Sequence, residues 1–114
     1  MVMFILWHTR AEINAIKKYG GRYLLQNGFD GIVNGRPVEV RAIRDKKETR
    51  FRLQRNVHND LLRGGGSYIF IDARNGRKKY RRVSARVVGK KLKHGKYYKD
   101  RSYPHKFLRL ADVF

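Results

Sequence analysis

Hydrophobic and polar positions alternate most regularly between Phe29 and Ile43. Two β-rich runs there, Phe29-Asp30-Gly31-Ile32-Val33 and Arg36-Pro37-Val38-Glu39-Val40-Arg41-Ala42-Ile43, flank Asn34-Gly35. A two-residue hairpin turn needs positive φ at both positions, which Asn-Gly adopts readily, so the pattern predicts a tight hairpin. With Asn34 and Gly35 as the loop, Val33 pairs with Arg36 and Asp30 falls opposite Glu39. Side chains alternate along a strand, so Glu39 and Arg41 share the face of Asp30. Val38, Val40 and Ala42 share the other face with Phe29, Gly31 and Val33. One face is apolar and the other carries a charged cluster.

Upstream, Thr9-Arg10-Ala11-Glu12 has the spacing of a capping box and predicts a helix to about Tyr19. Ile13 and Ile16 should face the core, Lys17 and Lys18 suit the last turn, and Gly20-Gly21 should end it. Arg22-Tyr23-Leu24-Leu25 reads as a strand and Gln26-Asn27-Gly28 as a turn, so the helix leads into a three-strand meander. Downstream, Asp45-Lys46-Lys47-Glu48 is a polar loop and Phe51 and Leu53 extend a strand. Val57, Leu61 and Leu62 have the spacing of a helix from about Gln54 to Arg63, stopped by Gly64-Gly65-Gly66.

Ser67-Tyr68-Ile69-Phe70-Ile71-Asp72-Ala73 is almost continuously apolar, as a central strand covered on both faces would be. Following a crossover helix, it should lie parallel to the strand of Glu39, by a right-handed connection. Arg74-Asn75-Gly76-Arg77 predicts a second hairpin, with Lys78 to Val88 as a charged edge strand. The apolar tail from Tyr103 to Phe114 should dock on the core or on a second subunit. These elements predict an α/β fold, a mixed central β-sheet flanked by helices, in one domain of 114 residues.

Charge changes the picture most. Lys and Arg number 28 against 9 Asp and Glu, a net charge of +19 that points to a polyanion, nucleic acid first. From Arg74 to Arg101 there are 13 basic residues and one acid, so a balance of +12 lies in the C-terminal part. The expected phosphate contacts are Arg74, Arg77, Lys78, Lys79, Arg81, Arg82, Lys90, Lys91, Lys93 and Lys96. Tyr80, Tyr97 and Tyr98 lie among them, as rings to pack beneath lysine stems or to stack on unpaired bases. No helix-turn-helix, zinc-finger spacing or repeat reads out a base sequence, so recognition should follow DNA structure.

The chain has no cysteine, which excludes disulfides, thiol nucleophiles and cysteine-ligated zinc. A cytoplasmic, intracellular setting is compatible. The opening Met1-Val2-Met3-Phe4-Ile5-Leu6-Trp7 lacks a basic leader and a small-residue cleavage site and is far shorter than a membrane span. It is expected to be a strand, a packing arm or a dimer contact, and no membrane partner is expected.

The charged face of the hairpin carries the candidate chemistry. Two carboxylates roughly 5 Å apart repel by about 3 kcal/mol at an effective dielectric of about 20, and like charges directly opposite destabilise a sheet. A hard divalent cation would offset this, as Mg²⁺ takes one or two carboxylates and leaves its other positions to water and phosphate oxygens. Arg41 alone could also neutralise the pair.

An acid in an N-terminal helix, Glu12, an aspartate on the next hairpin, Asp30, and Glu39-Val40-Arg41 after a short gap resemble the PD-(D/E)XK nuclease superfamily, and its small basic Holliday junction resolvases especially. The resemblance covers roughly Thr9 to Ala73. It implies a restriction-endonuclease-like core of about 9–73, with 74–114 as a basic, β-rich C-terminal extension. It further implies Mg²⁺ (or Mn²⁺) on Asp30 and Glu39, helped by the Val40 carbonyl, with Glu12 orienting the metal or its water.

Arg41 stands where the family has a lysine. A lysine can help deprotonate the attacking water, whereas a guanidinium cannot, although it can stabilise charge on the phosphorane. Lys46 or Lys47 could reach back instead. Gln54 resembles a glutamine of some branches, but the tyrosine that usually follows four residues later is His58, which reads as a surface or packed residue.

The expected function is a metal-dependent DNA endonuclease selective for structures such as branched DNA, working as a homodimer that cuts opposed strands. A restriction or repair nuclease of the same fold is the near alternative. A non-catalytic basic nucleic-acid-binding protein, ribosomal or architectural, is the rival from another class. A metal-free RNA endonuclease would need a His-Lys-Tyr constellation that the sequence does not assemble.

Overall fold

A computed structural model describes residues 7–24, 29–92, 97–99 and 104–114, with the backbone alone at Tyr98 and Lys99. The hairpin forms as its pattern requires. β2 (Gly31–Val33) and β3 (Arg36–Ile43) are antiparallel, with Val33 opposite Arg36 and Gly31 opposite Val38. Asn34 (φ 53°) and Gly35 (φ 74°) both take the left-handed conformation of a type I′ turn.

One helix lies on the apolar face of this hairpin. α1 (Trp7–Lys18) buries Ala11, Ala15 and Ile16 against Val33, Val38, Val40, Ile69 and Ile71. Two alanines let the helix lie close to the sheet, and Gly31 completes the fit. A Cβ there would stand 2.5 Å from the Arg22 carbonyl oxygen and 2.7 Å from Ile16 Cδ1. Ile13, expected in the core, is only partly buried, because the face turned to the sheet runs through the alanines. The helix starts two residues before Thr9, so the expected capping box does not form, and both Thr9 and Glu12 lie inside the helix. Gly20 (φ 75°) ends it, with the Gly21 amide donating to the Ile16 carbonyl at 2.9 Å.

The meander is completed by β1 (Arg22–Tyr23), antiparallel to β2. Leu25, the Gln26-Asn27-Gly28 turn and Met1 to Leu6 lie outside the described residues. β4 (Arg50–Gln54) leads into α2 (Arg55–Arg63), which ends at Gly64-Gly65-Gly66 as expected. β5 (Ser67–Asp72) is buried along its whole length and pairs with β3 in parallel, Glu39 beside Tyr68 and Arg41 beside Phe70. The edge strand, β6 (Lys79–Ser84), is shorter than expected. The Ser84 hydroxyl accepts from the Val87 amide at 3.2 Å and starts α3 (Ala85–Lys91), so the segment to Val88 turns helical.

The main sheet is mixed, in the order β1-β2-β3-β5-β6, with α1 on one face. The other face packs Ile43, Tyr68 and Phe70 against α2, α3 and a second sheet. That sheet, β4-β8-β7, is built from β4, β7 (Tyr98–Lys99) and β8 (Pro104–Arg109). A 3-10 turn, Leu110–Asp112, follows, and Leu108 and Val113 are buried, so the apolar tail docks on the core. The C-terminal part is therefore woven into the fold: β6 and α3 close the main sheet and its helical layer, and β8 supplies the partner of β4. Among the described residues, no helix is long and apolar enough to cross a membrane.

Candidate active site

The chain bends at Asp30, one residue before β2 begins, and this bend builds the site. The Asp30 amide still donates to the Val38 carbonyl at 2.9 Å, keeping Asp30 level with Glu39. Its carboxylate turns back, and Oδ2 accepts from the Val40 amide at 2.8 Å. A side chain thus takes the ladder bond that the missing strand would have made. The same bend moves Phe29 off the face of Gly31 and Val33, where alternation placed it, and into the cluster of Phe51, Leu53 and Tyr68.

Glu39 is 3% exposed, and its Oε2 lies 2.9 Å from Arg41 Nη2. Burial raises its proton affinity far above the usual carboxylate range. Arg41 opposes that, while a hydrogen bond with Asp30 and the charges of Asp30 and Glu12 reinforce it. Glu12 projects from α1 into the same field. Burial first, then the Asp30 charge, pushes its carboxyl up to about 7, against the pull of Arg41 and a hydrogen bond from Tyr23. That bond, from the Tyr23 hydroxyl to Glu12 Oε2, is long at 3.4 Å. Glu12 and Glu39 therefore both hold their protons more tightly than a free carboxylate, with the charge of Asp30 beside them and one guanidinium opposing it.

Beside them opens a cavity of about 780 Å³. Glu12, Val40, Arg41 and Gln54 all line it, so the fold gathers there four residues nominated from scattered positions. Gln54 sits at the N-cap of α2, without a side-chain cap bond. Lys47 also lines the cavity, from the 44–49 loop, whereas Lys46 is exposed in that loop. His58 is away from this chemistry: it is buried, with Nδ1 2.8 Å from the Tyr68 hydroxyl.

Among the described residues, no group of three or more His, Cys, Asp or Glu side chains is arranged to hold a metal ion. Mg²⁺ needs fewer: one or two carboxylates suffice when water and phosphate supply the rest. Asp30 and Glu39 offer that minimal set of hard oxygens, and Arg41 Nη2 occupies the position from which a cation would neutralise Glu39. The donor set fits a hard divalent ion.

Of the basic residues, Arg77, Lys79, Arg81, Lys90 and Lys91 are exposed. Lys78 is partly buried, its Nζ 5.8 Å from the Trp7 ring. Arg74 is engaged by the buried Asp72 through Nε (2.9 Å) and Nη2 (3.2 Å), and reaches the Glu48 carbonyl at 3.3 Å. Arg82 Nε donates to Ser67 Oγ at 2.9 Å. Lys93 and Lys96 lie outside the described residues. Tyr80 packs under α1, with Lys18 Nζ 5.1 Å from its ring centre, while Tyr97 is exposed beneath Lys106 at 4.3 Å. The side chain of Tyr98 is outside the described residues.

Sequence reasoning missed three residues that line the cavity, Arg50, Arg52 and Phe107. The alternation Arg50-Phe51-Arg52-Leu53-Gln54 was the available signal, since it puts both arginines on the face opposite the buried Phe51 and Leu53. The partner strand β8 could not be read from it.

Compared with known protein families, residues 7–107 match the model described as the PD-(D/E)XK nuclease superfamily domain. No curated protein matches the chain.

Proposed function

The chain belongs to the PD-(D/E)XK nuclease superfamily, and from that premise we propose that it is a metal-dependent endonuclease hydrolysing phosphodiester bonds in DNA, selective for branched structures such as Holliday junctions. A nuclease-type domain implies a nucleic-acid substrate, and the net charge of +19 agrees with one. The observation that carries the catalytic reading is the levelled pair Asp30 and Glu39, with Glu12 coupled to it and both Glu12 and Arg41 lining a cavity. A protein that only holds phosphates has no need of three acids there.

In this reading Asp30, Glu39 and the Val40 carbonyl hold Mg²⁺ or Mn²⁺, which when bound lowers the pKa of water and offsets charge on the phosphate oxygens. Arg41 cannot act as a base. Its guanidinium binds the phosphate and stabilises the negative charge that grows on it as the water oxygen bonds to phosphorus and the bond to the leaving sugar oxygen breaks. Glu12 orients the attacking water, and Gln54 contacts the strand from the N-cap of α2. Arg77, Lys78, Lys79, Arg81, Lys90 and Lys91 hold neighbouring phosphates, Arg74 and Arg82 less so because Asp72 and Ser67 already engage them. Two copies on a symmetric dimer would cut opposed strands.

The ion pair of Arg41 with Glu39 also favours a second reading, a nucleic-acid binder that has lost turnover. Labelled four-way junction, flap, duplex and single-stranded DNA, incubated in Mg²⁺, Mn²⁺ and EDTA, separate the two. Metal-dependent cutting that Asp30→Asn abolishes while DNA binding persists is the expected result. Tight binding with no cutting of any substrate would leave the binder.

A further inference from the structure

The part of the cavity lined by β4 and β8 has a chemistry of its own. β4 and β8 are antiparallel, with Arg50 opposite Arg109, Arg52 opposite Phe107 and Gln54 opposite His105. These residues share the face opposite the buried Phe51, Leu53 and Leu108, and His105 on that face is itself buried. On that face the Arg50 guanidinium carbon lies 3.7 Å from the centre of the Phe107 ring, close enough for the planar group to rest on the aromatic face. Arg50 is exposed and Phe107 partly buried, so the pair is a two-layer stack whose outer layer is a planar cation facing solvent. Arg52 stands beside it, with Nη2 3.3 Å from His105 Nδ1.

Both Arg50 and Phe107 line the cavity that also holds Glu12, Arg41 and Gln54. Its volume, about 780 Å³, is that of a pocket for one small ligand, within the usual range of about 300–1,000 Å³, and far too small for a duplex. Arginine planes and aromatic rings are the surfaces on which unpaired bases stack, whereas paired bases keep their faces inside the helix. A second feature bears on Arg41, which also lines the pocket: its Nε is buried and has no hydrogen-bond partner among the described residues. Buried donors of this kind call for an acceptor, and a phosphate oxygen entering the cavity is one.

We infer that this cavity takes a single unpaired nucleotide of the DNA, its base stacked on the Arg50–Phe107 pair and its phosphate drawn to Arg41 beside the acids. The inference rests on the nucleic-acid reading above and deepens it: selection for flaps, bulges or junctions comes from the β4–β8 wall. A fully paired strand cannot offer a free base face.

Binding in EDTA tests this without cleavage. The probes are fluorescently labelled duplexes, one fully paired and one with a single unpaired nucleotide, titrated by anisotropy against the parent protein and the Arg50→Ala, Arg50→Lys and Phe107→Leu variants. The parent should bind the unpaired probe about tenfold more tightly, the scale of one base–aromatic stack. Arg50→Ala and Phe107→Leu should erase most of that preference and change duplex affinity far less. Arg50→Lys keeps the charge but not the plane and should lose the preference too. Equal affinity of the parent for both probes, or a preference that survives Arg50→Ala and Phe107→Leu, overturns the inference, and a preference kept by Arg50→Lys shows attraction by charge and overturns stacking. Because no cutting is measured, a protein that cleaves nothing in any metal can still pass, so this inference and the nuclease proposal fail separately.

Discussion

Arg41 sets the character of the site. It is bonded to Glu39, lines the cavity and cannot exchange a proton, so it supplies charge where a lysine would supply charge and a titratable amine. Arg41→Lys should keep the pairing with Glu39 and raise the single-turnover cleavage rate in Mg²⁺, most at alkaline pH where an ammonium begins to release its proton. His58 gives a residue-scale prediction of another kind. Burial first, then Lys106, lowers its pKa in the folded state below the ordinary 6.5. The unfolded chain therefore takes up more protons on acidification, so stability is full above about pH 6.5 and falls as pH drops below it. Urea midpoints measured at pH 8 and pH 5.5 should differ more in the parent than in His58→Gln.

Elements here are decided as much by their ends as by their interiors. β5 is apolar throughout and would be a strand in almost any context, whereas α3 depends on its cap. Val87, Val88 and Gly89 are weak helix formers, yet Ser84 satisfies the Val87 amide and the helix buries Ala85 and Val88 against the core. Ser84→Ala should lower stability by about 1 kcal/mol in chemical denaturation, the usual cost of losing such a cap. The bend at Asp30 follows the same logic. By starting β2 only at Gly31, the chain leaves the Val40 amide for a carboxylate to take, and that bond aims Asp30 toward Glu39.

Across the whole molecule, excess charge binds and ion pairs hold. Arg81 is exposed on the edge strand, while Arg74 is tied to a buried carboxylate and to the loop that borders the cavity. The affinity for duplex DNA should fall with salt at a log–log slope near −0.9 per phosphate neutralised. Arg81→Ala should flatten that slope by about one phosphate's worth, whereas Arg74→Ala should change the slope little and lower the unfolding midpoint instead. Salt titrations of both variants, with urea denaturation alongside, check the division.

The hairpin of Asp30 and Glu39, the buried central strand, the second helix and the basic surplus were legible in the sequence, because each rests on a local rule: turn dihedrals, side-chain alternation, periodicity, net charge. The start of α1 was not, since packing of Trp7 carries the helix past the residue that looked like its cap. Nor was the end of β6, where one hydroxyl outweighs two β-branched residues. The cavity could not be read at all from the chain in order. It exists because β8, more than 50 residues downstream, pairs with β4 and brings Phe107 beneath Arg50, a long-range contact with no local signature. The sequence alone determined which acids stand level at the hairpin; tertiary packing decided what faces them, because only the fold brings together residues that no short-range rule connects.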